Sequence, residues 1–169
     1  MRIIIDLQGA QATNARRGIG RFAIALARAM VARAGKHEIL LALNTALAGS
    51  LEPIRAAFDA LLDPGQIKVW QGLNDLIGND PTHRWRRLAS ERIRDWFLAS
   101  LNPDVVHVAS HFEGLVDDAV SSIGRSHPPL TMATTIYDLI PFMFRDAYLH
   151  DATYARWYEA KIQQLRRAD

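Results

Sequence analysis

Two patterns alternate along this chain, and the alternation constrains the fold more than any other feature. Short apolar or β-branched runs at 2–6, 37–43 (HEILLAL), 67–70, 104–109 (DVVHVA) and 130–136 read as strands. The second run is apolar throughout after Glu38, as a parallel strand buried on both faces is. The intervening and final stretches have apolar residues at three- and four-residue spacing, the mark of an amphipathic helix. Residues 18–34 place Ile19, Phe22, Leu26, Met30 and Ala34 at that spacing, with Gly35 as C-terminal cap. Residues 53–62 read as a helix stopped by Asp63-Pro64-Gly65. In 81–101, Trp85, Ala89, Ile93, Trp96 and Phe97 fall on one side and predict the inward face. Arg87, Glu91 and Arg94 or Asp95 share another side, and mixed charge at that spacing predicts a solvated surface. A short helix at 115–123 follows, and a last one at 153–167 has Tyr154, Trp157, Tyr158, Ile162 and Leu165 as its stripe. Strands alternating with helices call for right-handed parallel crossovers. The expected class is therefore α/β: a Rossmann-like, doubly wound, mainly parallel sheet with helices on both faces, built as one domain over 1–169.

The 169 residues are 49% hydrophobic and 22% charged, enough for one sizeable core. Seventeen arginines and three lysines leave a formal net charge of only +2, which gives no argument for nucleic acid as a partner. The absence of cysteine excludes disulfides and thiolate metal sites. Ile3-Ile4-Ile5 is too short for a signal-peptide core, and no run approaches the roughly 18 apolar residues that span a bilayer. A soluble, cytoplasmic protein is expected.

Gly18-Ile19-Gly20-Arg21-Phe22-Ala23 fits a loose G-x-G-x-x-A at a helix start. Glycines let backbone approach a phosphate, and a helix N-terminus offers free N–H groups and a positive dipole end. Arg16, Arg17 and Arg21 add charge there. In the dinucleotide fingerprint, however, the first glycine follows its strand directly. Here the insert 7–17 intervenes, and the acid at the right distance, Glu38, begins the next strand. Both details count against a nicotinamide or flavin enzyme. Read without a ligand, the two glycines only permit a tight loop-to-helix entry.

His107 and His111 are four apart but lie on a strand and the loop after it, so they would not share a helical face for a metal. His111 falls just past a strand's carboxyl end, where open α/β sheets bind ligands. Arg84-Trp85-Arg86-Arg87 fits either a solvated helix surface or an anionic membrane contact. Asp138, in Tyr137-Asp138-Leu139-Ile140-Pro141, sits at a strand end, either as a turn cap or as a carboxylate for hydroxyl binding and proton transfer.

Taken in order, Asp6-Leu7-Gln8-Gly9, Arg17-Gly18-Ile19-Gly20-Arg21-Phe22, His111-Phe112-Glu113-Gly114 and Tyr137-Asp138-Leu139-Ile140-Pro141 make a recognisable set. The chain resembles, over nearly its whole length, the N-terminal domain of GT-B fold glycosyltransferases. It is most similar to glycosyltransferase family 4, the branch with mannosyl- and related transferases of bacterial surface polysaccharides. The resemblance implies a retaining sugar transfer from a nucleotide-sugar donor to a glycan or lipid-linked acceptor, with no metal and no cofactor beyond the donor. It implies a second, C-terminal domain, absent from this chain, that holds most of the donor, so this chain alone should be inactive. By motif, Gly18, Ile19, Gly20 and Arg21 approach the donor phosphates, and His111 and Glu113 fall on the acceptor side. Tyr137 and Asp138 lie near the reacting sugar, with Tyr137 where many members carry a histidine. A tyrosine can hydrogen-bond a hydroxyl but does not repeat a histidine's role at neutral pH. The implied location is cytoplasmic, peripheral at the inner face of the membrane. The alternatives are a stand-alone Rossmann-like module that binds a nucleotide or sugar without catalysis, and a structural domain that docks through its arginine-rich helix.

Overall fold

The computed structural model of the chain describes residues 1–78, 80–124 and 129–166. Five strands, β1 (Arg2–Asp6), β2 (Glu38–Asn44), β3 (Ile67–Trp70), β4 (Val105–Val108) and β5 (Met132–Thr134), form one parallel sheet in the order β3-β2-β1-β4-β5. β1 is central, with Ile4 opposite Leu40 on one side and Val106 on the other. The chain winds outward from β1 through β2 and β3, then returns beside β1 and winds out through β4 and β5. Helices therefore cover both faces, and the expected α/β Rossmann-like class holds.

Alternation along the strands feeds two cores. Ile5, Leu7, Ile39, Leu41 and Leu43 face one side and pack against α1 (Gly18–Ala32) and α2 (Leu51–Phe58) through Ala23, Ala27, Ile54 and Phe58. Ile4, Leu40, Ala42, Val106, Val108 and Met132 face the other side. They pack against Leu98 of α3 (Arg84–Ser100) and Leu165 of α6 (Ala152–Leu165). Full burial of each such aliphatic side chain contributes about 1.5–3 kcal/mol. Two one-turn helices, α4 (Ile140–Met143) and α5 (Arg145–Tyr148), precede α6 and were not foreseen from the sequence. The expected end of the last helix, Arg167, lies outside the described residues.

Three expectations are corrected. The first concerns α1: Met30, and Ala34 just beyond the helix, pack on the core as expected, but Ala23 and Ala27 are the buried side chains and Phe22 is half exposed. Small residues let this helix sit close to the sheet. The second concerns 115–123, which is not a helix. Its polar groups are tied elsewhere: Val120 N–H donates to Gln8 Oε1 (3.0 Å), and the Val120 carbonyl accepts from Gln8 Nε2 (2.6 Å). The Ser122 carbonyl accepts from Arg94 Nη1 (2.9 Å), and Asp118 caps the Leu76 N–H (2.7 Å).

The third correction is an inversion of α3. Ser90, Arg94, Asp95 and Leu98 are its buried residues, whereas Trp85, Ile93 and Trp96 are 66%, 41% and 64% exposed. The mixed-charge face points inward and most of the apolar face points out. The cause is Asp6, a carboxylate buried at the end of the central strand. Arg94 Nε donates to its Oδ2 at 2.6 Å, and both side chains are buried. A buried carboxylate needs a counter-charge more than two exposed indoles need cover.

The pair sits in a polar layer along the carboxyl edge of the sheet. Gln8 Nε2 donates toward Asp6, and Asn44 Nδ2 donates to Gln8 Oε1 at 3.1 Å. Gln11 Oε1 accepts from the Asn44 N–H at 2.8 Å. Asp6→Leu alone would strand Arg94 and is expected to cost about 3–5 kcal/mol in urea unfolding. Asp6→Leu/Arg94→Met should recover most of that loss, because the uncompensated charge is gone.

Candidate functional site

At the carboxyl edge of the sheet a cleft of about 410 Å³ opens between the loop after β1, the start of α1, segment 110–117 after β4, the turn after β5, and α6. The loop after β1 is not an open strap. Residues 7–12 are buried, with a 3-10 turn at Gln8–Ala10, and only its second half, through Thr13, Asn14 and Arg17, reaches the cleft. Gly9 allows the 3-10 turn to press on β4's extension, since a Cβ there would stand 2.5 Å from Ser110 Cβ. Gly20 is required more strictly: its Cβ would meet the Ala15 carbonyl oxygen at 2.2 Å. No atom lies within 4 Å of where a Gly18 Cβ would be, so the chain itself does not demand a glycine there.

The N-terminus of α1 is electropositive but partly covered: Gly20 is buried and its N–H donates to the Asn14 carbonyl at 3.3 Å. Arg17 occupies the N-cap without a side-chain cap, and no acid stands in the first turn. Arg17 and Ile19 line the cleft, while Arg21 is exposed beyond its lining. A helix end of this kind favours an anion through its dipole and free N–H groups.

Across the cleft stand three carboxylates. Glu113 is buried and accepts from Ser110 Oγ (2.8 Å) and Asn14 Nδ2 (3.3 Å). Burial pushes its carboxyl up to about 7, helped by the charge of Asp117 and opposed by the bond from Ser110. Asp117 accepts from the Thr13 N–H and hydroxyl, both at 2.8 Å, which fastens the β1 loop to the segment after β4. Asp138 is exposed at the cleft and caps the Ile140 N–H at 3.0 Å with one oxygen. Glu113 and Asp138 were visible in the sequence. Asp117 and Asn14 were not, because only the fold brings positions 14, 113 and 117 together.

Tyr137 lines the cleft, but its hydroxyl lies 3.1 Å from the Ala109 carbonyl and 3.3 Å from the Ile19 carbonyl. Burial and the nearby Glu113 raise its pKa, so it stays a protonated donor. Its ring meets Phe22 edge to face at 5.6 Å. Tyr154, Trp157 and Tyr158 of α6, expected as an inward stripe, form the far wall of the cleft together with Phe112, which stacks on Tyr158 at 4.8 Å.

His111 does not reach the cleft. It is fully buried, and its Nε2 donates to the Lys161 carbonyl at 2.8 Å. Burial, reinforced by the Lys161 charge, lowers its pKa to about 3, so it is neutral at physiological pH. Its ring meets Phe112 edge to face at 5.2 Å. Lys161 is also buried and donates to Ser121 Oγ at 2.7 Å, with burial bringing its pKa down to about 7. His107 lies on β4 with Nε2 3.0 Å from Thr135 Oγ1, apart from His111. Among the described residues, no group of three or more His, Asp or Glu is placed to hold a metal. No described helix is long and apolar enough to cross a membrane.

Fold and cleft together define a Rossmann-like α/β domain with an anion-favouring helix start facing a carboxylate cluster. No family profile matches the chain. Along its whole length it is 30% identical, over 170 aligned positions, to a serotype-specific mannosyltransferase WbdA of Escherichia coli. A second protein of that name from the same species is 26% identical over 145 positions, 85% of the chain. The chain spans about a fifth of the length of these relatives, 20% of the first and 18% of the second.

Two outcomes follow from this geometry. Gly20→Ala should cost about 1–3 kcal/mol through overpacking, while Gly18→Ala should leave stability nearly unchanged in the same urea titration. Glu113 has a raised folded pKa, so its contribution to stability is complete below its ordinary value of 4.5 and is lost as pH rises through about 7. Glu113→Gln should therefore flatten the dependence of unfolding free energy on pH between those values and gain on the wild type above them.

Proposed function

We propose that this chain is the acceptor-side domain of a retaining glycosyltransferase of the GT-B type, similar to family 4. It would transfer a sugar from a nucleotide-sugar to a glycan or lipid-linked acceptor in surface-polysaccharide synthesis. The observation that carries the reading is the opposition, across one cleft, of the acid-free start of α1, which has no side-chain cap, and the carboxylates Glu113 and Asp138. A glycosyl transfer needs both: a place for the departing phosphate's charge and groups that orient sugar hydroxyls. The mannosyltransferase names of the relatives support sugar transfer as the reaction class and mannose as the first sugar to test.

In this reading the donor phosphates approach Gly18, Ile19 and Gly20 from a second domain, with Arg21 beside them. The open space at Gly18 suits such an approach. The acceptor lies against Tyr154 and Trp157. Its hydroxyl meets Glu113, and Asp138 holds hydroxyls of the reacting sugar. Tyr137 acts as a positioning residue through Ile19, and His111 acts through Phe112, which it meets edge to face at the cleft wall. Phe22, Val116, Leu139, Ile140, Phe142, Met143 and Phe144 are exposed apolar residues, and five of them lie at 139–144, just after the cleft residue Asp138. A continuous apolar edge of that kind suits cover by another domain. The protein is placed in the cytoplasm, where nucleotide-sugars are available.

The test uses the full natural chain with nucleotide-activated mannose and an oligomannoside acceptor. Glu113→Gln and Asp138→Asn should each lower kcat by about 100-fold or more, with NMR of the product showing a retained anomeric configuration. The 169-residue chain alone should not transfer. An inverted product, or unchanged kcat in both variants, would overturn the reading.

A further inference from the structure

The outer face of α3 is built differently from the rest of the surface. Its exposed residues are Arg84, Trp85, Leu88, Arg92, Ile93 and Trp96, followed by Ser100 in the last turn. None is acidic. Both acids of the helix are turned away: Asp95 is buried beside Arg94, and Glu91 lines the cavity between α3 and α6 near Lys161. Trp85 and Trp96 are eleven positions apart, about three turns and roughly 16 Å, so their indoles project from the same side. The Arg94–Asp6 pair holds the inner face in place, so the helix cannot roll to bury the indoles.

We propose that this face of α3 is a membrane-interface surface, with Trp85, Ile93 and Trp96 entering the headgroup region of an anionic bilayer and Arg84 and Arg92 meeting lipid phosphates. Indole rings favour that depth, because they have an apolar body and one polar N–H. An exposed helix face whose only charges are arginines is the matching pattern. Arg86 is half-buried, 5.7 Å over the Trp85 ring and within 3.8 Å of Asp75, and is not counted among the lipid contacts; Arg92 is exposed, though its charge also acts on Asp95. The amino end of α3 also touches the cleft, where Arg87 Nη2 donates to the Gly114 carbonyl at 2.7 Å. A helix lying on the bilayer would thus hold the cleft wall near the interface. The inference stands independently of the transfer chemistry.

The test is sedimentation of the full natural chain with vesicles of phosphatidylglycerol and phosphatidylcholine, against phosphatidylcholine alone, with indole fluorescence read in parallel. The wild type should pellet with the anionic vesicles, with a blue-shifted emission that salt reverses. Trp85→Ser/Trp96→Ser should weaken binding by more than about tenfold, since two large apolar groups are lost. Its circular dichroism and unfolding temperature should match the wild type, because both side chains are exposed. Arg84→Glu/Arg92→Glu should remove the preference for anionic lipid. Failure to bind phosphatidylglycerol vesicles, or equal binding by the tryptophan variant, overturns the proposal. So does self-association abolished by that variant, which would assign the face to a second copy. Indoles already shielded from acrylamide in the vesicle-free full chain would assign the face to another domain and overturn the proposal too.

Discussion

A carboxylate at the end of the central strand sets the terms for the rest of this fold. Asp6 is buried where β1 gives way to the loop, and Arg94 reaches it from the helix that crosses behind β4. Such a pair does not stabilise much in net, because desolvating both ions offsets most of their attraction. Its effect is positional. Asp6 also accepts from Gln8, and Gln8 holds both Val120 and Asn44. One counter-charge therefore fixes the first loop, the end of β2 and the segment after β4, and the first and last of these border the cleft.

The orientation of α3 follows from the same demand. Periodicity ranked its faces by hydrophobicity and favoured Trp85, Ile93 and Trp96 for the interior. The competing term, an unneutralised carboxylate in the sheet, cannot be seen in the sequence of the helix, because Asp6 lies 88 residues earlier. Once Arg94 points inward, Ser90 and Leu98 follow by helical spacing and the indoles are left outside. Only Phe97 keeps its expected role, stacking on Trp70 at 6.4 Å.

What was legible in the sequence depended on local information. β1 and β3 match their expected bounds to the residue: β1 is an isoleucine run closed by its own charged ends, Arg2 and Asp6, and β3 lies between Gln66 and Gln71. Alternation and crossover handedness led to a parallel sheet with helices on both faces, but they do not set the strand order, which depends on long-range pairing. The segment 115–123 misled because its apolar spacing suggested a helix, while long-range bonds from Gln8 and Arg94 consume its backbone groups. Of the candidate site, Glu113 and Asp138 were legible as polar residues just beyond strand ends. Asn14 and Asp117 carry no local signal, since their meaning depends on being beside Glu113 and Thr13 in space. His111 had the right position after a strand but the wrong direction, and faces Lys161 instead of the cleft.

Tyr137 shows how the two ends of the cleft are kept in register. Its hydroxyl lies between the Ile19 carbonyl, in the first turn of α1, and the Ala109 carbonyl at the end of β4. It carries one proton, shared between two backbone acceptors that belong to different sides of the site. Burial keeps that proton in place at any physiological pH. A histidine here would titrate near neutrality and could lose this role or gain another with each proton. The tyrosine instead offers a constant mechanical link. The distance between the N–H groups of α1 and the carboxylate of Glu113 then depends on geometry alone, while protonation near neutral pH is left to Glu113. Charge regulation and positioning are thus assigned to different residues of one cleft.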